Sequence, residues 1–104
     1  QNKNIYEAEI DAICELVDFL RFNVAYADNI MNKQPIQTSE IKNVSEYNSL
    51  NGFVAAITPF NFTAIGGNLA SAPLLFGNSV IWKPSDNSVL SNHFDFAILC
   101  FRYL

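Results

Sequence analysis

The sequence predicts an α/β fold built around one βαβ crossover at residues 52–86, and three local signals carry that prediction. Phe53–Ile57 is a short, wholly apolar run of the kind a parallel strand covered on both faces needs. Thr58-Pro59 ends it, because Pro has no N–H for a sheet ladder. Ala64–Phe76 has the length and the small, apolar composition of a buried helix, and Gly77-Asn78 stops it as a left-handed C-cap does. Ser79–Trp82 is a second strand, closed by Lys83-Pro84. Two strands joined through a helix lie parallel with their carboxyl ends on one edge of the sheet, which is where open α/β sheets bind ligands. Pro73 is the discordant residue in the helix and is expected to kink or shorten it.

The flanking elements follow in chain order. Residues 1–31 contain no Pro or Gly, and Ile5, Ala8, Ala12, Leu16, Leu20 and Val24 recur at helical spacing. Ile13, Val17 and Phe19 widen that stripe, so the spacing predicts one long helix buried on more than one side. Asp18 and Arg21 are three apart and are expected to meet on its surface as an ordinary ion pair. Residues 32–51 turn polar around Pro35 and read as a connecting loop, with a short extended piece at Ile41–Tyr47. Residues 87–104 close the chain with a further helix, by the apolar spacing of Phe94–Leu104. Gly66 and Gly67 lack the G-x-G-x-x-G spacing of a dinucleotide loop, so close helix packing is the expected reason for both.

Composition sets outer bounds. Half of the 104 residues are apolar and only 15% are charged, against about 25% charged in an average soluble domain. Chains this short bury only about 60–70% of their surface, so such apolar content is expected of a piece of a larger core. A net charge of −4 with six scattered Lys and Arg excludes a phosphate-neutralising patch and argues against nucleic acid. No apolar run approaches the ~18 residues of a membrane span. The stretch QNKNIYEAEID has neither a secretory nor a transit-peptide layout, so any targeting segment would precede Gln1. Cys14 and Cys100 are too far apart in sequence for a Cys-x-x-Cys site and read as buried free thiols. A single histidine, His93, leaves no metal cluster to assemble and reads as a surface or helix-end residue. Asn43-Val44-Ser45 and Asn61-Phe62-Thr63 fit the N-glycosylation pattern, which matters only in a secretory compartment.

The ordered motifs Pro59-Phe60-Asn61-Phe62, Gly77-Asn78 and Lys83-Pro84-Ser85 carry a resemblance. The chain resembles the aldehyde dehydrogenase superfamily over roughly residues 1–92. Phe60, the run Thr63-Ala64-Ile65-Gly66-Gly67-Asn68 and Trp82 point to its pyrroline-carboxylate branch. The resemblance implies part of a Rossmann-like NAD-binding domain. It also implies an NAD-dependent dehydrogenase oxidising L-glutamate γ-semialdehyde to L-glutamate in proline breakdown. It further implies a homo-oligomeric enzyme, in the mitochondrial matrix if the source is eukaryotic and otherwise in the cytoplasm. The family's glycine loop, Glu base and Cys nucleophile are absent from these residues, so the chain alone is expected to be inactive. Past Asn92 the motif pattern fades. Alternatives are a short non-catalytic chain that joins a full-length partner, a free-standing nucleotide-binding module, or a dehydrogenase of another aldehyde.

The reaction class defines what the site residues must do. A thiolate adding to an aldehyde places negative charge on the carbonyl oxygen, and an Asn side chain donates to that oxygen without adding a base or a mobile charge. By resemblance that donor is Asn61; read from the residues alone, Asn61 is a structural N-cap of the following helix. Lys83 reads alone as a solvated strand-end lysine and by resemblance as a donor to the ribose hydroxyls of NAD, with Ser85 and Asp86 beside it. A carboxylate at Asp86 would repel a 2′-phosphate and so favours NAD over NADP. Thr58, Pro59 and Phe60 either simply end a strand or lie along the cofactor. Phe62 is core or lines the substrate channel, and Glu15 is a solvated carboxylate or faces the substrate entrance.

Overall fold

A computed structural model describes residues 1–103, with the side chains of 101–103 outside the description, as is Leu104 at the end of the expected last helix. A helical run opens the chain: α1 (Ile5–Ala8), a π-helical stretch (Glu9–Cys14) and α2 (Glu15–Asn32). Asn4 starts it through a capping box, its side chain accepting from the Glu7 N–H while the Glu7 carboxylate accepts from the Asn4 N–H, both at 2.9 Å. The predicted long helix therefore exists, but with wider turns in its first third.

Residues 33–52 follow without helix or strand. The extended piece expected at Ile41–Tyr47 does not join a ladder. Instead the Gln37 side-chain amide donates to Asn43 O and accepts from Asn43 N–H, and the Gln34 amide does the same with Ser45. Side chains thus take the place of a partner strand.

The crossover is built as the sequence predicts, with small shifts of boundary. β1 (Phe53–Ile57), α3 (Thr63–Leu74) and β2 (Ser79–Lys83) form it, and β1 pairs parallel with β2 in the register Phe53↔Ser79 to Ile57↔Lys83. α3 ends one residue after Pro73. Gly77, at φ +73, then takes the left-handed position, with its N–H on Leu74 O and the Asn78 N–H on Pro73 O. A 3₁₀ turn (Asp86–Ser88) leads into α4 (Val89–Tyr103).

Packing centres on α3, which touches both strands, α2 and α4. Ala64, Gly66, Gly67, Ala70 and Ser71 are buried along it. Both glycines are there for close approach, as expected. A methyl on Gly66 would sit 2.2 Å from Asn92 Oδ1, and one on Gly67 would sit 2.7 Å from Leu16 Cδ1. Asn92 is itself held by Nδ2 donating to Ser88 O at 2.9 Å and to Ser88 Oγ at 2.8 Å. One turn on, Asp95 is buried, and burial pushes its carboxyl from 3.8 to about 6.

Three expectations fail for one reason: hydrocarbon that the pattern marks as core is uncovered. β1 is not covered on both faces, because Ala56 is 4% exposed while Phe53 and Ile57 are 60% and 72% exposed. The first helix is not buried on several sides, since Ile5, Ile10, Ile13 and Val24 are exposed. Cys14 is an exposed thiol, although Cys100 is half-buried. Separately, Asp18 and Arg21 stay apart; among the described residues the ion pair is Lys3 with Asp11. The accessible surface of 7926 Å² compares with about 5,800 Å² for a compact protein of this mass.

Three stability predictions follow from this packing, all read by urea denaturation. Gly66→Ala displaces the Asn92 amide and lowers stability by about 2 kcal/mol net of its gain in helix propensity. Gly67→Ala meets only a flexible Leu16 methyl and changes it by no more than about 1 kcal/mol. For Asp95, the folded state holds the proton between pH 4 and about 6 while the unfolded chain has lost it. Its contribution therefore falls as pH rises through that window, by up to about 3 kcal/mol. Asp95→Asn is expected to stabilise the fold at pH 7 and to be neutral at pH 3.5, and equal effects at both would refute the assignment.

Candidate functional site

The polar residues singled out in the sequence converge on the carboxyl edge of the two-stranded sheet. The ladder runs one step past the strands, with the Thr58 N–H donating to Lys83 O at 3.2 Å. Pro59 and Pro84 then end both strands, and each chain turns away. Phe60 and Asn61 follow the end of β1, while Lys83 closes β2 and Ser85 and Asp86 follow it. Asn61 and Lys83 are therefore brought to the same edge, and both side chains are exposed.

Each side chain's engagement limits what it can do. Asn61 is not the N-cap of α3. That position belongs to Phe62, in extended conformation with φ −134° and ψ 112°, and no side chain caps the helix. Among the described residues no hydrogen bond engages the Asn61 amide, so its two N–H donors are free. Among the described residues Lys83 Nζ reaches only its neighbour's carbonyl, Pro84 O, at 3.4 Å, a weak contact that leaves the ammonium available. Asp86 is exposed at the start of the 3₁₀ turn. Ser85 is half-buried, and its carbonyl accepts from the N–H and hydroxyl of Ser88.

Thr58 differs from its expected role. It is 4% exposed, and its hydroxyl accepts from Trp82 Nε1 at 3.1 Å, so the side chain is committed to a cross-strand clamp. Only its backbone is left for a ligand. Pro59 is half-buried, whereas the Phe60 ring is 49% exposed on the edge. Phe62 is half-buried with Lys3 Nζ 3.7 Å from its ring centroid. Glu15 is half-buried on α2, next to the Leu16 side chain that packs on Gly67.

Sequence reasoning missed the Lys3 and Gln1 contacts with the start of α3. Both bridge some 60 positions of chain, and no local pattern announces a contact of that kind. The Trp82–Thr58 clamp had one available signal, a Trp one residue before the end of one strand and a Thr just past the end of the other, two positions on from the Trp's register partner Ala56. An apolar cavity of about 500 Å³ is separate from the edge. It is walled by hydrocarbon such as Leu20, Leu74, Val80, Trp82 and Leu99, and neither Asn61 nor Lys83 lines it. Among the described residues no His, Cys, Asp and Glu cluster suits a metal ion.

Known proteins share this sequence pattern and backbone. The model of the aldehyde dehydrogenase family matches residues 1–100, eight residues past the point where the motif pattern fades. The human mitochondrial delta-1-pyrroline-5-carboxylate dehydrogenase is 54% identical over 99 residues, which cover 95% of this chain and 18% of that protein. Its Dictyostelium discoideum counterpart is 56% identical over 93 residues, covering 88% of this chain and 17% of that protein. The crystal structure of the Mycobacterium tuberculosis delta-pyrroline-5-carboxylate dehydrogenase bound with NAD superposes with a TM-score of 0.94 at 53% identity. That superposition spans 98% of this chain and 19% of that one. The chain thus spans about a fifth of the length of the proteins it matches. A family match through residue 100, on a backbone that superposes almost throughout, means that the chain belongs to the aldehyde dehydrogenase family.

Proposed function

We propose that this segment supplies the polar strand-end edge of the NAD-binding domain in a dehydrogenase that oxidises L-glutamate γ-semialdehyde to L-glutamate. The open semialdehyde arises by ring opening of pyrroline-5-carboxylate. The observation that carries the proposal is the presence, on one edge, of an exposed Asn61 amide and an exposed Lys83 ammonium held only weakly by Pro84 O. Support for the substrate comes from the names of the relatives, and support for the cofactor from the NAD-bound structure that the backbone matches.

The donor set fits the adenosine end of NAD. An exposed ammonium and an exposed carboxylate three positions apart give one donor and one acceptor for vicinal ribose hydroxyls, and the Asp86 charge disfavours a 2′-phosphate. When bound, NAD supplies the two-electron acceptor. What the chain's own residues do is bind and polarise. Asn61 donates to the aldehyde oxygen as negative charge builds on it, and its freedom from capping means that donation costs no internal hydrogen bond. The Thr58 backbone and the Phe60 ring form the wall of the cofactor groove, and Phe62 and Glu15 stand on the substrate side. The thiolate and the base come from outside these residues, since Cys14 lies on an exposed helix and Cys100 borders the apolar cavity. The names of the human and Dictyostelium relatives support a mitochondrial location in a eukaryote, and we place it in the matrix.

The test is a chimera in which residues 1–100 replace the matching segment of the Mycobacterium tuberculosis enzyme. The chimera is expected to reduce NAD with glutamate semialdehyde, and a folded but inactive chimera would overturn the proposal. In it, Asn61→Ala lowers kcat by about 10²–10³-fold with little change in KM for NAD. Lys83→Met does the reverse, raising KM for NAD about tenfold, the equivalent of one charge-assisted hydrogen bond. By itself the 104-residue chain is expected to give no detectable NAD-binding heat in calorimetry.

A further inference from the structure

The first four residues fold back over the start of α3, and they do so where that helix lacks a cap. Gln1 Nε2 donates to Thr63 Oγ1 at 2.9 Å, and the same hydroxyl lies 3.2 Å from Gln1 Oε1. Lys3 Nζ stands 3.7 Å from the Phe62 ring centroid while pairing with the Asp11 carboxylate. The Lys3 side chain is 13% exposed, so it has given up most of its water. A carboxylate and the negative face of an aromatic ring replace that water, which is the setting in which a cation–π contact is strongest. The capping box at Asn4 fixes where Lys3 leaves the helical run, and Asp11 rises from the π-helical stretch to meet it.

The contacts fall on the two residues that follow Asn61. Phe62 occupies the N-cap position and has no side-chain oxygen to close the first turn, so α3 does nothing through a cap of its own to fix the Asn61-Phe62 unit. We infer that Lys3 is a positioning residue, whose ammonium pins the Phe62 ring and thereby sets the aim of the Asn61 amide at the strand-end edge. Lys3 touches neither the aldehyde nor the cofactor; it acts through Phe62. This inference rests on the function proposed above, and its consequence is selective. Loss of the pin should blur the donor to the reacting oxygen and leave the ribose contacts at Lys83 and Asp86 alone.

The chimera provides the test. Lys3→Met, which keeps the stem and removes the charge, is expected to lower kcat about tenfold or more with KM for NAD within twofold. Lys3→Arg, which retains a cation for both the ring and Asp11, is expected to restore most of the rate. In a Phe62→Leu background, Lys3→Met should cost nothing further. An unchanged kcat in Lys3→Met, no rescue by Arg, or an equal loss in the Phe62→Leu background would each overturn the inference. If the parent chimera is inactive, the functional proposal fails, and the pin is read separately by amide hydrogen exchange of the same folded chimera. The amides of Thr63–Gly66 should then exchange at least tenfold faster in Lys3→Met and at the parent rate in Lys3→Arg. Equal rates in all three would overturn it.

Discussion

The parallel pairing of β1 with β2 is the constraint from which the rest follows. A parallel pair cannot be closed by a tight turn, so the chain must cross back through α3, and both strands then finish on one edge. Five paired positions and the extra Thr58–Lys83 bond carry the register to the last residue before each proline. The prolines end the ladder on the two strands within one register step of each other, which leaves Asn61 and Lys83 exposed on the same edge. A slip of one residue would turn Trp82 away from Thr58 and bury the Lys83 stem. The geometry of the edge is therefore set by backbone pairing before any side chain contributes.

The composition of α3 answers to the same constraint. A crossover helix touched by the sheet, α2 and α4 cannot present a single apolar stripe, and the residues it buries are small: Ala64, Gly66, Gly67, Ala70 and Ser71. Small residues let the neighbouring helices approach, but they offer few hydrogen-bond partners to what approaches. Asn92 Oδ1 and Asp95 Oδ2 on α4 are both buried without a donor among the described residues. Asp95 responds by holding its proton more tightly, so close packing at α3 is linked to a titration on α4.

What the sequence made legible was local. The strands at Phe53 and Ser79, the C-cap at Gly77 and the packing role of Gly66 and Gly67 all rest on residues a few positions apart. The site was legible because Asn61 and Lys83 follow directly from where two strands end. Features that depend on distant contact or on cover were not legible. No pattern around Thr58 reveals that its hydroxyl is committed to Trp82, and none around Lys3 reveals Phe62. Apolar runs told which faces want cover, not whether it is present. Hence Phe53, Ile57, Ile13 and Cys14 were read as buried and are exposed.

That mismatch separates two requirements usually met together. The polar edge needs only two strands, two prolines and one helix, and all of these lie within residues 53–84. Stability needs hydrocarbon on the outer face of the sheet, where Phe53, Ile57 and Ile81 are open, and the surface excess of roughly 2,000 Å² over a compact fold of this mass is as large as a permanent interface. A two-stranded sheet with one bare face is marginal in water. Its strand ends fluctuate with it, and a donor that must meet a developing charge to within a few tenths of an ångström loses most of its effect when its backbone moves by one. Covering the outer face therefore stiffens the edge without touching it. By the same physics, the other four-fifths of a family-length protein would steady the edge that carries Asn61 and Lys83.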